Sequence, residues 1–191
     1  MSDTASVTVI TPAIPPRLAS FLPDAIASVA AQTVKPAAHL IGVDYAAQGC
    51  APTMRRLAAG VTTEWVVPLS DDDVLHPPFI EACLEVAGDA DVVYPFCEFD
   101  GPEPNGIVVN LPVFDRDLLQ IGNYIPSTTL IRAEAARAVG WWPDTEDKCE
   151  DWALWKLLVA AGATFLPLPE PLWTYRFHGQ QTTTKTLPEW T

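Results

Sequence analysis

The chain has 191 residues, 49% of them hydrophobic, and a formal net charge of −13 from 24 acidic against 11 basic side chains. That composition supports one domain with a sizeable core. The charge, with no basic cluster longer than Arg55-Arg56, disfavours a nucleic-acid polymer or an anionic membrane surface as a general partner. No run approaches the roughly 18 apolar residues of a membrane span, and the first residues have neither the basic start nor the apolar stretch of a secretion signal. The four cysteines are widely spaced and read as reduced core thiols. A cytoplasmic protein is expected.

In chain order, the first hundred residues alternate between strand and helix character. Residues 6–12, SVTVITP, form a β-branched run ending at a proline, as a buried strand does. In residues 18–32, Leu22, Ile26 and Val29 recur at helical spacing, and Pro23 marks the first turn. Residues 39–45 read as a second strand that delivers Asp44 at its C-terminal end. A short helix over 52–60 stops at Gly60, and residues 63–70 form a third strand. A helix over 78–88 and a strand over 90–99 follow. This order predicts an α/β domain with a Rossmann-like, mainly parallel sheet flanked by helices on both faces.

From residue 100 the pattern changes. Residues 100–115 are rich in turn formers and read as a loop or hairpin. A strand is expected over 126–132, helices over 133–139 and 151–162 with a loop between them, and a strand over 164–177. The polar, Thr-rich residues 178–191 have no periodicity. There is no internal repeat, so the whole chain, 1–191, reads as a single compact domain.

Several carboxylates fall where such a sheet binds ligands, beyond the carboxyl ends of its strands. The stretch PLSDDDVLHPP, residues 68–78, places Asp71, Asp72 and Asp73 directly after the third strand. Three adjacent anions repel one another unless a cation sits among them. A hard divalent ion prefers oxygen ligands, and shares its shell between one or two carboxylates and substrate phosphates. An acidic turn capping the helix near Pro77 also accounts for these residues. Asp44 suits hydrogen bonds from a nucleobase or ribose, or simply forms a turn. Glu150 and Asp151 open a helix, where carboxylates complement the helix dipole by about 0.3–1 kcal/mol with or without a chemical role. Arg176 and His178, two apart on a strand, share a side and suit phosphate oxygens or a metal, or are ordinary surface residues.

Together these segments resemble glycosyltransferase family 2, whose members are inverting enzymes with the GT-A fold. VTVITPA and SVAAQT are similar to the family's first strand and helix, and GVTTEWVVPLSDDD to the segment leading into its acidic metal motif. VGWWPD, CEDWALWKLLVAAG and YRFHGQQTT resemble its Gly-Gly-Phe-Asp segment, its Glu-Asp helix and its closing Tyr-Arg-x-His segment. The motifs occur in the family's order over almost the whole chain.

The resemblance implies a role for each matching position. Asp72 falls on the usual direct ligand of Mn²⁺ or Mg²⁺, with Asp71 and Asp73 as helpers, and His178 completes the metal shell or touches the diphosphate. Members commonly read Leu-Asp-x-Asp-Asp where this chain has Leu69-Ser70-Asp71-Asp72-Asp73, so Ser70 replaces the first acid. Asp44 matches a donor-binding acid, and Tyr45, in place of a second aspartate, stacks on the base. Thr11 lies in the matching first-strand segment on the donor side. Arg55 or Arg56 stands near the family's Arg-Asn pair and supplies charge to the diphosphate, as does Arg176. The short gap from Asp44 to Ser70 implies that one strand-helix excursion is trimmed. Residues 1–100 then form the nucleotide-sugar-binding half and residues 101–191 the acceptor and catalytic half.

The implied reaction is a single in-line displacement at the anomeric carbon of a UDP- or GDP-sugar, with inversion. Asp151 takes the proton of the acceptor hydroxyl, and Glu150 orients the acceptor or supports the loop. A helix N-terminus should lower the pKa of Asp151, but the base need only be ionised and in reach. Trp141, Trp142 and Tyr124 form an aromatic platform or pack in the core. Two other readings are a nucleotidyltransferase of similar fold and a non-catalytic nucleotide-sugar binding module. The first lacks a Gly-rich loop with a basic residue after the first strand, and the second has no need of a base. The donor sugar, the acceptor and assembly into a homo-oligomer stay open.

Overall fold

The computed structural model describes residues 4–101, 106–145 and 149–178. One eight-stranded sheet runs through it. Strands β1 (Thr4–Ala13), β2 (Lys35–Val43) and β3 (Trp65–Pro68) lie side by side and parallel. Strand β4 is the two-residue Val74–Leu75, followed by β5 (Val92–Asp100), β6 (Ile107–Val109), β7 (Leu130–Arg132) and β8 (Phe165–Arg176). The spatial order is β2-β1-β3-β7-β5-β8-β4, with β6 on β5. Strand β7 is antiparallel to both β3 and β5, and β5 is parallel to β8. Thus β1, β2, β3, β5 and β8 share one direction, and the sheet is mainly parallel as expected.

The helices are α1 (Leu22–Ala30), α2 (Cys50–Ala58), α3 (Phe79–Ala87), α4 (Arg116–Ile121), α5 (Ala133–Ala138) and α6 (Glu150–Ala160). Strand side chains alternate between faces, and the core divides accordingly. Ile10, Val66, Val92, Tyr94 and Ile131 pack with α2, α4, α5 and α6 on one face. Val7, Val9, Val67, Val93 and Leu130 pack with α1 and α3 on the other. Burial on both faces explains the nearly unbroken apolar runs of β1, β3 and β5. At the centre of the first face Trp155 is fully buried, meets the Phe165 ring edge-on at 6.2 Å and donates its Nε1–H to the Ile125 carbonyl. Truncating such a residue to Ala typically costs about 3–5 kcal/mol.

Several boundaries differ from the sequence expectations, for local reasons. Helix α1 begins at Leu22, with Pro23 in its first turn, while Pro15–Arg17 forms a separate one-turn 3-10 helix. Strand β2 ends at Val43, and Asp44 continues only as an N–H donor to the Ala13 carbonyl. The expected hairpin appears as β6 against β5. Helix α4 was not expected; it starts because the Asp115 carboxylate accepts from the Asp117 and Leu118 amides. In β8, the register against β5 steps from Leu168 to Pro171, so Pro169 falls in the irregularity, where a missing N–H does no harm.

Candidate active site

The strands that share one direction end at a common cavity of about 860 Å³. Pro12 and Ala13 from β1, Pro68 and Leu69 from β3, Cys97 and Phe99 around the end of β5, and Trp173 and Tyr175 from β8 all line it. Two helices present their first turns there. Cys50 to Thr53 of α2 and Glu150 to Trp152 of α6 line the cavity, so the positive ends of both helix dipoles are turned toward it.

The acidic run connects β3 to β4 and is tied down from three directions. Asp71 accepts from the Ile14 amide at 2.9 Å and from Arg17 Nη1 at 2.9 Å. The same Nη1 lies 2.7 Å from Asp72 Oδ2, which His178 Nε2 also approaches at 3.1 Å. Asp73 Oδ1 accepts from the Arg176 backbone amide at 3.0 Å, just past the β4–β8 pairing. All three aspartates and Arg17 are buried. Burial pushes the carboxyl groups of Asp71 and Asp73 above the usual range; Asp72 pushes Asp73 further up, and Arg17 opposes the rise at both.

The second carboxylate pair lies at the start of α6. Asp151 Oδ1 accepts from the Trp152 amide at 2.7 Å and Oδ2 from Asn123 Nδ2 at 3.0 Å. Contrary to the helix-dipole expectation, its pKa is pushed up to about 6. Loss of hydration on burial is the larger effect, the neighbouring Glu150 adds to it, and the two hydrogen bonds only partly offset them. Glu150 shares a hydrogen bond with the Cys50 thiol, which it and burial together hold well above the usual thiol range.

The other sequence-assigned residues divide. Asp44 lines the cavity, but its oxygens already accept from the Gln48 and Gly49 amides, which hold its pKa down. The Ala46 amide adds a weaker third contact, which leaves the carboxylate, with about four acceptor sites, some capacity for a ligand. Gly49 has φ of 104°, a conformation that favours glycine and lets this loop close on Asp44. Tyr45 is 77% exposed and outside the cavity lining. Thr11 is fully buried and hydrogen-bonded to His39 Nε2, because the strand alternation turns it into the sheet's core side.

Arg55 and Arg56 do not reach the cavity either. They occupy the last turn of α2, whereas its first turn faces the site. Arg55 instead grips the Trp142 carbonyl and the Asp144 carboxylate, and Arg56 donates to the Val43 carbonyl. The Arg176 side chain is directed to Asp24 at 3.0 Å; its backbone amide ties Asp73, and its charge also favours that carboxylate. His178 stacks on Phe21 at 4.2 Å, which fastens the end of β8 beside α1. Trp142 and Tyr124 line the cavity while buried in the core, and Trp141 stacks on Trp142 behind it. The Thr-rich residues 179–191 lie outside the described residues.

Two site residues escaped the sequence reading, Arg17 and Asn123. Arg17 sits inside TPAIPPR, where the prolines drew attention to the loop and not to its charge. Asn123 has no motif around it. As for a cation, no group of three or more His, Cys, Asp or Glu side chains is arranged to hold a metal among the described residues. The Asp72–His178 pair nevertheless fits the partial ligand set of an ion that takes the rest of its shell from phosphates and water. Among the described residues no helix is long and apolar enough to cross a membrane.

No protein-family model matches the sequence, and no curated protein matches it. Solved structures do resemble the fold. S. aureus TarS 1-349 in complex with UDP-GlcNAc superposes with a TM-score of 0.72 at 10% identity, covering 92% of this chain and 59% of that one. Mannosyltransferase PcManGT from Pyrobaculum calidifontis, in complex with GDP-Man and Mn²⁺, gives 0.67 at 12% identity, covering 93% and 58%. The chain spans about three-fifths of the length of these structures, and what it shares with them is the mixed α/β fold.

Proposed function

We propose that the chain is a glycosyltransferase that moves a sugar from a nucleoside-diphosphate sugar, UDP- or GDP-linked, to an acceptor hydroxyl with inversion, in the manner of family 2. The observation that carries this reading is the pair of carboxylate sets on one cavity. The acidic run lies after β3, and the half-buried Asp151 lies at the N-terminus of α6. The structural neighbours with UDP-GlcNAc and with GDP-Man and Mn²⁺ support the donor class.

In this reading the donor diphosphate lies by the acidic run and the first turn of α2, whose free amides and dipole favour phosphate. Asp72 and His178, with Asp73 beside them, are the residues that would hold Mn²⁺ or Mg²⁺. The ion's contribution is to offset charge growing on the departing diphosphate. Asp151, ionised above about pH 6, accepts the acceptor hydroxyl's proton as the oxygen bonds to the anomeric carbon and the diphosphate leaves. Asn123 and the Trp152 amide hold the two carboxylate oxygens in place during that transfer.

Thermal melting with Mn²⁺ and UDP or GDP tests the donor site. The melting temperature should rise with both together and much less with either alone. The absence of any joint effect would remove the reading. Asp72→Ala should abolish the joint effect.

A further inference from the structure

Arg17 is the feature of the site that the reaction does not require. Its side chain is 6% exposed, and one nitrogen, Nη1, meets Asp71 Oδ1 at 2.9 Å and Asp72 Oδ2 at 2.7 Å. The backbone holds it there from both ends. Pro15 and Pro16 set the one-turn 3-10 helix, Arg17 N–H donates to the Ile14 carbonyl, and the Ile14 amide donates to Asp71. A guanidinium does not lose its proton in a protein, so this charge is permanent. Asp72 Oδ2 is the atom a divalent ion would need, and it is already shared by Arg17 and His178. An ion placed on Asp72 alone would adjoin a fixed positive charge in a poorly hydrated site, where like charges repel strongly. A diphosphate arriving with the ion reverses the balance.

We propose that Arg17 is the resident counter-cation of the acidic site, keeping divalent cations off Asp72 until a diphosphate arrives with them. This rests on the reading that Asp72 is the ion's ligand. It also bears on Ser70: the first acid of the related motif is replaced there, Asp71 stands one place later, and Arg17 pairs with both Asp71 and Asp72.

The test is Mn²⁺ alone, titrated against the intact chain with free Mn²⁺ followed by electron paramagnetic resonance. Wild type and Arg17→Lys, which keeps the charge, should bind Mn²⁺ only weakly without nucleotide. Arg17→Met should bind it at least tenfold more tightly, and adding Asp72→Ala should erase that gain. A purely structural role for Arg17 predicts no gain. Equal Mn²⁺ affinity in wild type and Arg17→Met overturns the proposal, as does wild-type binding that is as tight without UDP or GDP as with it. If Arg17→Met does not fold, the wild type still decides. Mg²⁺ alone should leave the ¹⁵N guanidinium signal of Arg17, assigned by its loss in Arg17→Lys, unchanged. Mg²⁺ with UDP or GDP should shift it, and a shift by Mg²⁺ alone overturns the proposal. The donor reading fails separately, through absent Mn²⁺-nucleotide synergy in thermal melting.

Discussion

Two sets of carboxylates face one cavity, a buried acidic run and a half-buried pair at the start of α6, and they are held differently. Asp71 and Asp72 share a fixed guanidinium, and Asp73 is pinned by a backbone amide from β8. Asp151 is held by neutral donors, the Asn123 amide and the Trp152 N–H, with Glu150 adding negative charge beside it. A permanent cation opposes the lift that burial gives a carboxyl group and suits a surface that must hold charged ligands. Burial opposed only by neutral donors gives a carboxyl group that exchanges a proton near neutral pH.

The comparison breaks most sharply at Asp151. Asp151→Asn should lower the rate of nucleoside-diphosphate release by about 10²–10⁴-fold while leaving the Mn²⁺-nucleotide thermal shift intact. A variant with the wild-type rate would mean that the proton goes elsewhere.

The pH dependence sharpens it. The folded pKa of Asp151, about 6, lies above its ordinary 3.8. Between these values the folded chain keeps a proton that the unfolded chain has lost, so stability falls as pH rises through roughly 4 to 6 and is level above. A shift of this size corresponds to a cost on the order of 3 kcal/mol at neutral pH. Asp151→Asn should abolish this dependence and melt higher than wild type at pH 7. The rate should move the other way, rising about tenfold per pH unit below 6 and then levelling. Denaturant melts and rate profiles over the same pH range check both signs.

Asn123→Ala tests how the base is held. It removes a hydrogen bond to the ionised carboxylate, so the acid limb of the rate profile should move to higher pH and the rate should fall by roughly tenfold. A smaller rate with an unmoved profile would make Asn123 a packing residue only. The smallest effects are expected at the arginines of α2. Arg55→Ala gives up a half-exposed pair with Asp144 and should cost at most about 1 kcal/mol. Arg56→Ala should fall within about 0.5 kcal/mol. Neither should change nucleotide affinity by more than about twofold, which calorimetry would read; a large loss would return them to the diphosphate.

Much of the fold was legible because its signals are local. The β-branched runs marked β1, β3 and β5 within a few residues, and the acidic run and the start of the Glu-Asp helix both line one cavity. Arg55 and Arg56 show how adjacency misleads. They follow directly on Met54, which lines the cavity, yet their side chains are turned to the Trp142 and Val43 carbonyls and to Asp144. Asn123 and Arg17 show the converse, since each acts on a partner far along the chain, Asp151 and Asp71, and neither lies in a recognisable pattern.

The sequence by itself determined where strands end and therefore where carboxylates stand, because pleat and helix period act over a few residues. Only the tertiary structure decided which of those carboxylates carries a partner charge and which is left to titrate. Hydration loss and Coulomb attraction depend on distances between segments that the chain order leaves open. At Asp151 the local effect, a helix N-terminus, pulls the pKa down, and the tertiary effect, burial, outweighs it.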